Sequence, residues 1–291
     1  MAVEHRLAVK HRRAVKRALW LLIGALLIGC TAIDQLPPLE RTLLPITLPA
    51  ITAGPIVTPI PIDTGWRSVA AGIEYRELRV TLEDRSDRLR IARVDPAQVR
   101  LRVVYDPDSP RRVSEWLVST KAQLVINGNY FDPQNRALGL IIADGARTGV
   151  VYEGFGGMLA VGDSTVKVRW NVSEPYAASE RLSYALQNFP MLVLPGGEAN
   201  LQIDDNERLA PRSVVAQDRS GRIVFVVSPG LMFTLTSLGQ WLAASDLDID
   251  AALNLDGGTS SGMLLRDGHQ TLGTDSWVNV PSVIVVSEVV R

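Results

Sequence analysis

Histidine and cysteine are nearly missing from these 291 residues, and their scarcity removes several chemistries together. The one cysteine is Cys30, so no internal disulfide can form and no zinc site can be built on paired thiolates. The three histidines are His5, His11 and His269, too few and too scattered for a multi-histidine zinc hydrolase. Basic charge is also short outside the leading segment. Residues 1–29 hold six of the 30 basic side chains and only Glu4 of the 31 acidic ones, so the remainder has 24 against 30 and a formal charge of −6. An acidic body with no basic stripe gives no electrostatic footing for nucleic acid, and none is expected as a partner.

Long apolar runs are equally few. Ala18–Gly29 is an apolar stretch of 12 behind Arg6, Lys10, Arg12, Arg13, Lys16 and Arg17. It suits the hydrophobic part of a signal peptide and is short for a span of about 20 residues. Leu27-Ile28-Gly29-Cys30 is similar to a bacterial lipobox, in which the cysteine is lipidated and becomes the new N-terminus. A signal anchor is the alternative, and in both cases the positive charges stay inside and the body is exported. We therefore expect a signal peptide over 1–29, lipidation at Cys30, and a protein of the cell envelope held to the membrane by its N-terminal lipid or anchor. Seven prolines between Leu36 and Gly65 give the next stretch an extended character, so residues 30–65 are assigned as a tether and 66–291 as one folded domain.

Within that domain strands outnumber helices. Arg76–Leu82, Leu89–Val94 and Val99–Val104 alternate apolar and polar residues. Met158–Val161 and Val166–Trp170 flank the turn sequence Gly162-Asp163-Ser164-Thr165, and Ser213–Gln217 and Ile223–Val227 flank Asp218-Arg219-Ser220-Gly221. Helical spacing is confined to Val113–Ala122 and Leu235–Ala244, the latter with Trp241 on its core face. No βαβ alternation is regular, so the expected class is α+β: a single mixed, strand-rich domain with few helices.

No cofactor is expected, and no metal. Asp246, Asp248 and Asp250 imitate the start of a calcium loop, but Ala251 stands where such loops need glycine and Gly257 where they need glutamate. The run reads as a solvated turn. The chemically informative segment follows it: Asn254-Leu255-Asp256-Gly257-Gly258-Thr259-Ser260-Ser261-Gly262. An apolar strand that ends in a carboxylate needs a reason, because aspartate is rarely buried without a partner. Paired glycines let a ligand approach the backbone closely. Gly258–Gly262 also fits the G-x-S-x-G nucleophile elbow. However, a strand and turn follow it rather than a helix, and His269 with Asp267 or Asp275 leaves no room for the remaining triad strands.

Three further segments recur with it: Leu124–Asp132, which breaks from an apolar strand into a polar, aromatic loop; Gln187–Val193 before Gly196-Gly197; and Pro211-Arg212-Ser213 at the head of a hairpin. In this order and spacing they resemble the phosphodiester glycosidase family, over about Tyr75 to Val286. Thr259 replaces a usual third glycine, Phe189-Pro190 a usual Gly-Pro, and Asn129 a frequent glycine. The resemblance implies hydrolysis of the bond between a sugar's anomeric carbon and a phosphodiester, with a carbohydrate or sugar-phosphate substrate. Asp256 is then the catalytic carboxylate, as base, nucleophile or oxocarbenium stabiliser. Arg212 would hold the phosphate, and Gly257 and Gly258 with Ser260 or Ser261 would complete an anion cradle. Asn127 and Gln187 would serve sugar hydroxyls, and Tyr130 or Phe131 an apolar wall. A noncatalytic glycan-binding module and a phosphodiesterase cutting P–O are the alternatives.

Overall fold

The structure is a computed structural model that describes residues 62–289. The expected signal peptide, Cys30 and the tether as far as residue 61 lie outside the described residues. Residues 62–65, assigned to the tether, are in contact with the first hairpin: Asp63 pairs with Leu78, and its carboxylate accepts from Arg76 at 2.6 Å.

Among the described residues eighteen strands form three sheets, and every strand pair there is antiparallel. The first, in spatial order, is β1 (Arg67–Ala70), β2 (Ile73–Leu82), β3 (Arg85–Val94), β14 (Ile223–Phe233), β13 (Ala210–Asp218), β15 (Ile249–Asn254), β11 (Met191–Leu194) and β12 (Glu198–Ala199). The second is β7 (Ala146–Thr148), β6 (Ile141–Ala143), β10 (Tyr184–Asn188), β8 (Gly157–Val161) and β9 (Val166–Trp170). The third is β17 (Gln270–Thr274), β16 (Met263–Asp267), β5 (Leu124–Asn127), β18 (Ser282–Glu288) and β4 (Val99–Tyr105). The α+β, strand-rich class is what the structure has, with two α-helices among the described residues: α1 (Val113–Ser119) and α2 (Leu235–Ala244).

One core joins the three sheets. Phe225 and Leu253 from the first, Leu159 and Leu186 from the second, and Leu101, Ile126 and Ile284 from the third are all buried in a single cluster. Each such side chain taken from water contributes about 1.5–3 kcal/mol, so this junction is the main source of stability. Helix α2 covers the other face of the first sheet, with Leu238 and Leu242 buried beside Leu192, Val214 and Val226. Trp241 lies half-buried against Phe233, ring centroids 6.0 Å apart, as its helical spacing implied. Helix α1 covers the third sheet with Val113, Trp116 and Leu117 on Val125, Val283 and Val285. Strands such as β5 and β15 are therefore enclosed on both faces, which is why they read as continuous apolar runs.

Both expected hairpins form. Gly162 N–H donates to Thr165 O at 2.9 Å, and the Asp218 carboxylate, 2 % exposed, accepts from Ser220 N, Arg222 N and Arg222 Nε. Strands β2 and β3 extend beyond the expected segments because charged residues interrupt the apolar alternation. Glu74 and Arg93 face each other across the pair and form a 2.6 Å ion pair. Helix α1 stops short of Ala122: Thr120 is its C-cap and Lys121 turns to φ +53°, after which Ala122 is still buried in the same cluster. The three aspartates of the calcium-like run go separate ways. Asp246 pairs with Arg76, Asp248 with Arg219, and Asp250 accepts from Gly196 N. The third sheet also disposes of the nucleophile elbow: a single 3₁₀ turn, Gly258–Ser260, is followed directly by β16, and His269 lies exposed in the β16–β17 turn.

Candidate active site

The ends of β5, β10 and β15 and the start of β13 converge, so one site draws on all three sheets. Strand β13 runs antiparallel to β15 with Val214 opposite Asn254, and continuing that register two places sets Arg212 opposite Asp256. Leu255 N–H donates to Ser213 O at 2.8 Å and keeps the two chains together past the end of the ladder. The β13–β14 register shifts between Ala210 and Arg212, a bulge of the kind that re-aims a side chain.

The backbone of Asp256 is clamped from the third sheet. Its N–H donates to Gly128 O at 3.0 Å, and its carbonyl accepts from Asn127 Nδ2 at 2.7 Å. Asn127 Oδ1 in turn accepts from Ser213 Oγ at 2.7 Å and Gly262 N at 3.1 Å. Asn127 has no exposed surface, so its amide fixes the Asp256 loop from behind rather than reaching into the cleft. Gln187 is likewise fully buried. Its Oε1 accepts from Tyr152 N at 2.7 Å, which ties the loop before β8 to the end of β10. The expectation that these two amides meet sugar hydroxyls does not fit this geometry, whereas a positioning role does.

The Asp256 carboxylate itself is half-buried and forms no ion pair among the described residues. Burial pushes its pKa up to about 6, against the opposing pull of the Ser260 hydroxyl and the Gly257 N–H, which donates to Oδ1 at 2.9 Å. Arg212 is half-buried too and has no carboxylate in ion-pair contact among the described residues. Its Nε donates to Phe233 O at 3.3 Å and its Nη2 to Arg208 O at 2.6 Å, while Nη1 has no acceptor among the described residues. Burial lowers its pKa, with Arg208 adding repulsion; a guanidinium stays charged regardless. Gly257 lies beside this group: a Cβ there would come within 3.9 Å of Nη1 and 3.1 Å of Pro211 O. The glycine thus lets the loop pass close to the Pro211 carbonyl and leaves the face of Arg212 Nη1 open. Gly258, at φ +63°, makes the turn into the 3₁₀ segment that brings Ser260 back toward the carboxylate. Ser261 is buried and its hydroxyl has no partner among the described residues.

The two aromatic candidates separate. Phe131 packs with the α1 cluster, away from the carboxylate. Tyr130 faces the site: its hydroxyl accepts from Asn254 Nδ2 at 2.7 Å, and burial with the nearby Asp256 charge pushes its pKa up to about 12. Its own proton is therefore retained and free to donate. Tyr130 is also one end of an aromatic group that the sequence did not reveal. Its ring is 5.0 Å from that of Phe189, which is 5.6 Å from Tyr152 and 5.8 Å from Phe155. On the other side Trp277, 75 % exposed, is fixed beside the loop by its N–H to Thr259 O at 2.8 Å.

Among the described residues no three side chains of His, Cys, Asp or Glu gather as a metal-binding group. An open cavity of about 1260 Å³ lies at the opposite end of β10 and β13, lined by residues such as Asp95, Lys167, Tyr184 and Gln217, and it contains none of the residues above.

No curated protein matches this chain by sequence. Among solved structures, the zebrafish N-acetylglucosamine-1-phosphodiester α-N-acetylglucosaminidase catalytic domain, auto-inhibited by its pro-peptide, superposes with a TM-score of 0.60 at 18 % identity, over 76 % of this chain and 85 % of that one. A hypothetical protein from Synechocystis gives 0.52 at 16 % identity, over 74 % of this chain and 62 % of that one. At these identities the likeness is one of fold. The phosphodiester glycosidase family model matches residues 120–287, which contain Asp256, Arg212, Tyr130 and the loops that hold them, and more than half of the chain. By that match, in a fold shared with a solved member of the same description, the chain belongs to the phosphodiester glycosidase family.

Proposed function

We propose that this protein is an exported hydrolase that cleaves the C1–O bond of a sugar 1-phosphodiester or a related cell-envelope glycan. The observation that carries the reading is that strand register sets two opposite charges, Asp256 and Arg212, opposite each other beside Gly257, and that neither forms an ion pair among the described residues. Charges left uncompensated in a half-buried site are costly unless a ligand completes them. The cation suits the phosphate oxygens, for which a guanidinium has the right planar geometry. The anion suits an anomeric carbon that gains positive character as its bond to oxygen breaks.

In this reading the C1–O bond breaks with its electron pair leaving on the phosphate monoester, which Arg212 stabilises. Water supplies the new C1–O bond and loses a proton. Asp256 serves at C1, ionised for the most part at neutral pH with a pKa of about 6. A phosphate monoester is a good leaving group, so the second carboxyl that most glycosidases use as acid is not required. Tyr130, protonated and anchored by Asn254, donates to a ring or phosphate oxygen.

The basic head, the 12-residue apolar stretch and Cys30 support export and attachment to the cell envelope through an N-terminal lipid or anchor. Incubation of the purified protein with a panel of methyl phosphodiesters of different sugars is expected to release free sugar and methyl phosphate. Release of methanol with sugar 1-phosphate instead would refute the reading.

A further inference from the structure

We propose that Phe189 and Phe155, backed by Tyr152 and Tyr130, form the platform on which the sugar ring of the substrate stacks. This rests on the glycosidase reading and extends it to the substrate's recognition. Phe189 is 39 % exposed and Phe155 47 %, although their rings are packed together and against two tyrosines. Large apolar rings held in one cluster and left open to solvent mark a binding surface more than a core.

The platform is built. Asn171 Nδ2 donates to Phe155 O at 3.0 Å and Asn171 N to Gly156 O at 3.1 Å, so the loop bearing Phe155 is tied to the end of β9. Gly156, at φ +67°, lies where a Cβ would come within 2.4 Å of Asn188 O, and only glycine lets this loop lie against the end of β10. Phe155 and Tyr152 then stack at 4.7 Å with their planes 30° apart.

Its place relative to the charges selects the occupant. Asn254 Nδ2 donates both to Tyr130 Oη and, at 3.2 Å, to Phe189 O, and Asn254 is two residues before Asp256. Asn254 thus ties the rings of Tyr130 and Phe189 to the strand end that carries Asp256, and Gly257 beyond it lies beside Arg212. With phosphate at Arg212 and the anomeric carbon at Asp256, the next group along is the sugar ring. A pyranose in that place lays an apolar C–H face on the exposed rings and leaves its hydroxyls to solvent at the open edge.

The test uses the full chain carrying Asp256→Asn, so that ligands are bound without turnover, and saturation-transfer NMR from the aromatic protons. The probes are methyl phosphodiesters of glucose, galactose and N-acetylglucosamine, an octyl phosphodiester of glucose, and methyl phosphate. Saturation is expected at the C–H protons of the sugar ring. Phe189→Leu and Phe155→Leu, both at partly exposed positions, are each expected to weaken sugar binding about tenfold, with methyl phosphate unaffected. Absence of transfer to any sugar ring, transfer confined to the octyl chain, or unchanged sugar affinity in the double variant overturns the platform. Turnover of the same probes is followed with the unsubstituted chain. Turnover together with ring-independent sugar binding defeats the platform alone. Ring-dependent sugar binding without turnover supports the platform and defeats the glycosidase reading.

Discussion

Asp256→Asn is expected to remove turnover while making the fold more stable at neutral pH. The carboxylate acts on charge that develops only in the transition state, so its loss should lower kcat/KM by at least about 10²-fold, roughly 3 kcal/mol. The stability change has the opposite sign. Burial raises the Asp256 pKa from 3.8 to about 6. Between those values the folded chain retains a proton that the unfolded chain has released, so stability falls as pH rises through this window and the full penalty stands above pH 6. The variant escapes it, a gain of up to about 3 kcal/mol at pH 8 that shrinks to nothing near pH 4. Thermal melts of both proteins across this range check the prediction. In the unsubstituted enzyme kcat/KM should rise with pH through about 6 as the carboxylate ionises. Ser260→Ala, which removes a hydroxyl that favours the charged form, should move that limb upward and keep substantial activity. A nucleophilic Ser260 would lose essentially all of it.

Arg212→Lys is expected to be nearly as damaging to substrate binding as removal of the charge. The guanidinium is held in place by Nε on Phe233 O and Nη2 on Arg208 O, with Nη1 left for the ligand. Lysine keeps the cation but cannot hold both carbonyls and present a donor beside Gly257 at once. We expect KM for a methyl phosphodiester to rise by about 10- to 100-fold, a loss of roughly 1.4 to 3 kcal/mol, with a smaller change in kcat. Steady-state kinetics would show this, and an unchanged KM would mean that the phosphate is held elsewhere.

What was legible in the sequence follows from how local each signal is. Asp256, Gly257 and Gly258 could be read because a carboxylate and paired glycines at the end of an apolar strand are one contiguous feature. Arg212 was singled out only through the family resemblance, because an arginine at the head of a hairpin is by itself an ordinary surface charge. The amides were harder: Asn127 and Gln187 end strands near the site, but polarity alone does not say whether an amide faces the cleft or braces the loop behind it, and both brace. Phe131 and Tyr130 are adjacent, so the extended chain sends them to different surroundings, one to α1 and one to the site. The aromatic platform was invisible for another reason. Tyr152 and Phe155 lie in the loop before β8 and Phe189 in the turn after β10, and only the antiparallel pairing of β10 with β8 brings the two together. The closing of three sheets on one core is likewise a matter of long-range contacts, which periodicity along single strands does not encode.

The central claim is that the bond broken joins oxygen to the anomeric carbon, with Asp256 acting there and Arg212 holding the phosphate. Hydrolysis of a methyl phosphodiester of the sugar that is turned over, in water enriched in oxygen-18, tests it most directly. The account predicts label on the C1 oxygen of the released sugar and none in the methyl phosphate. Label in the phosphate would place the attack at phosphorus and contradict it, even with Asp256 shown to be essential.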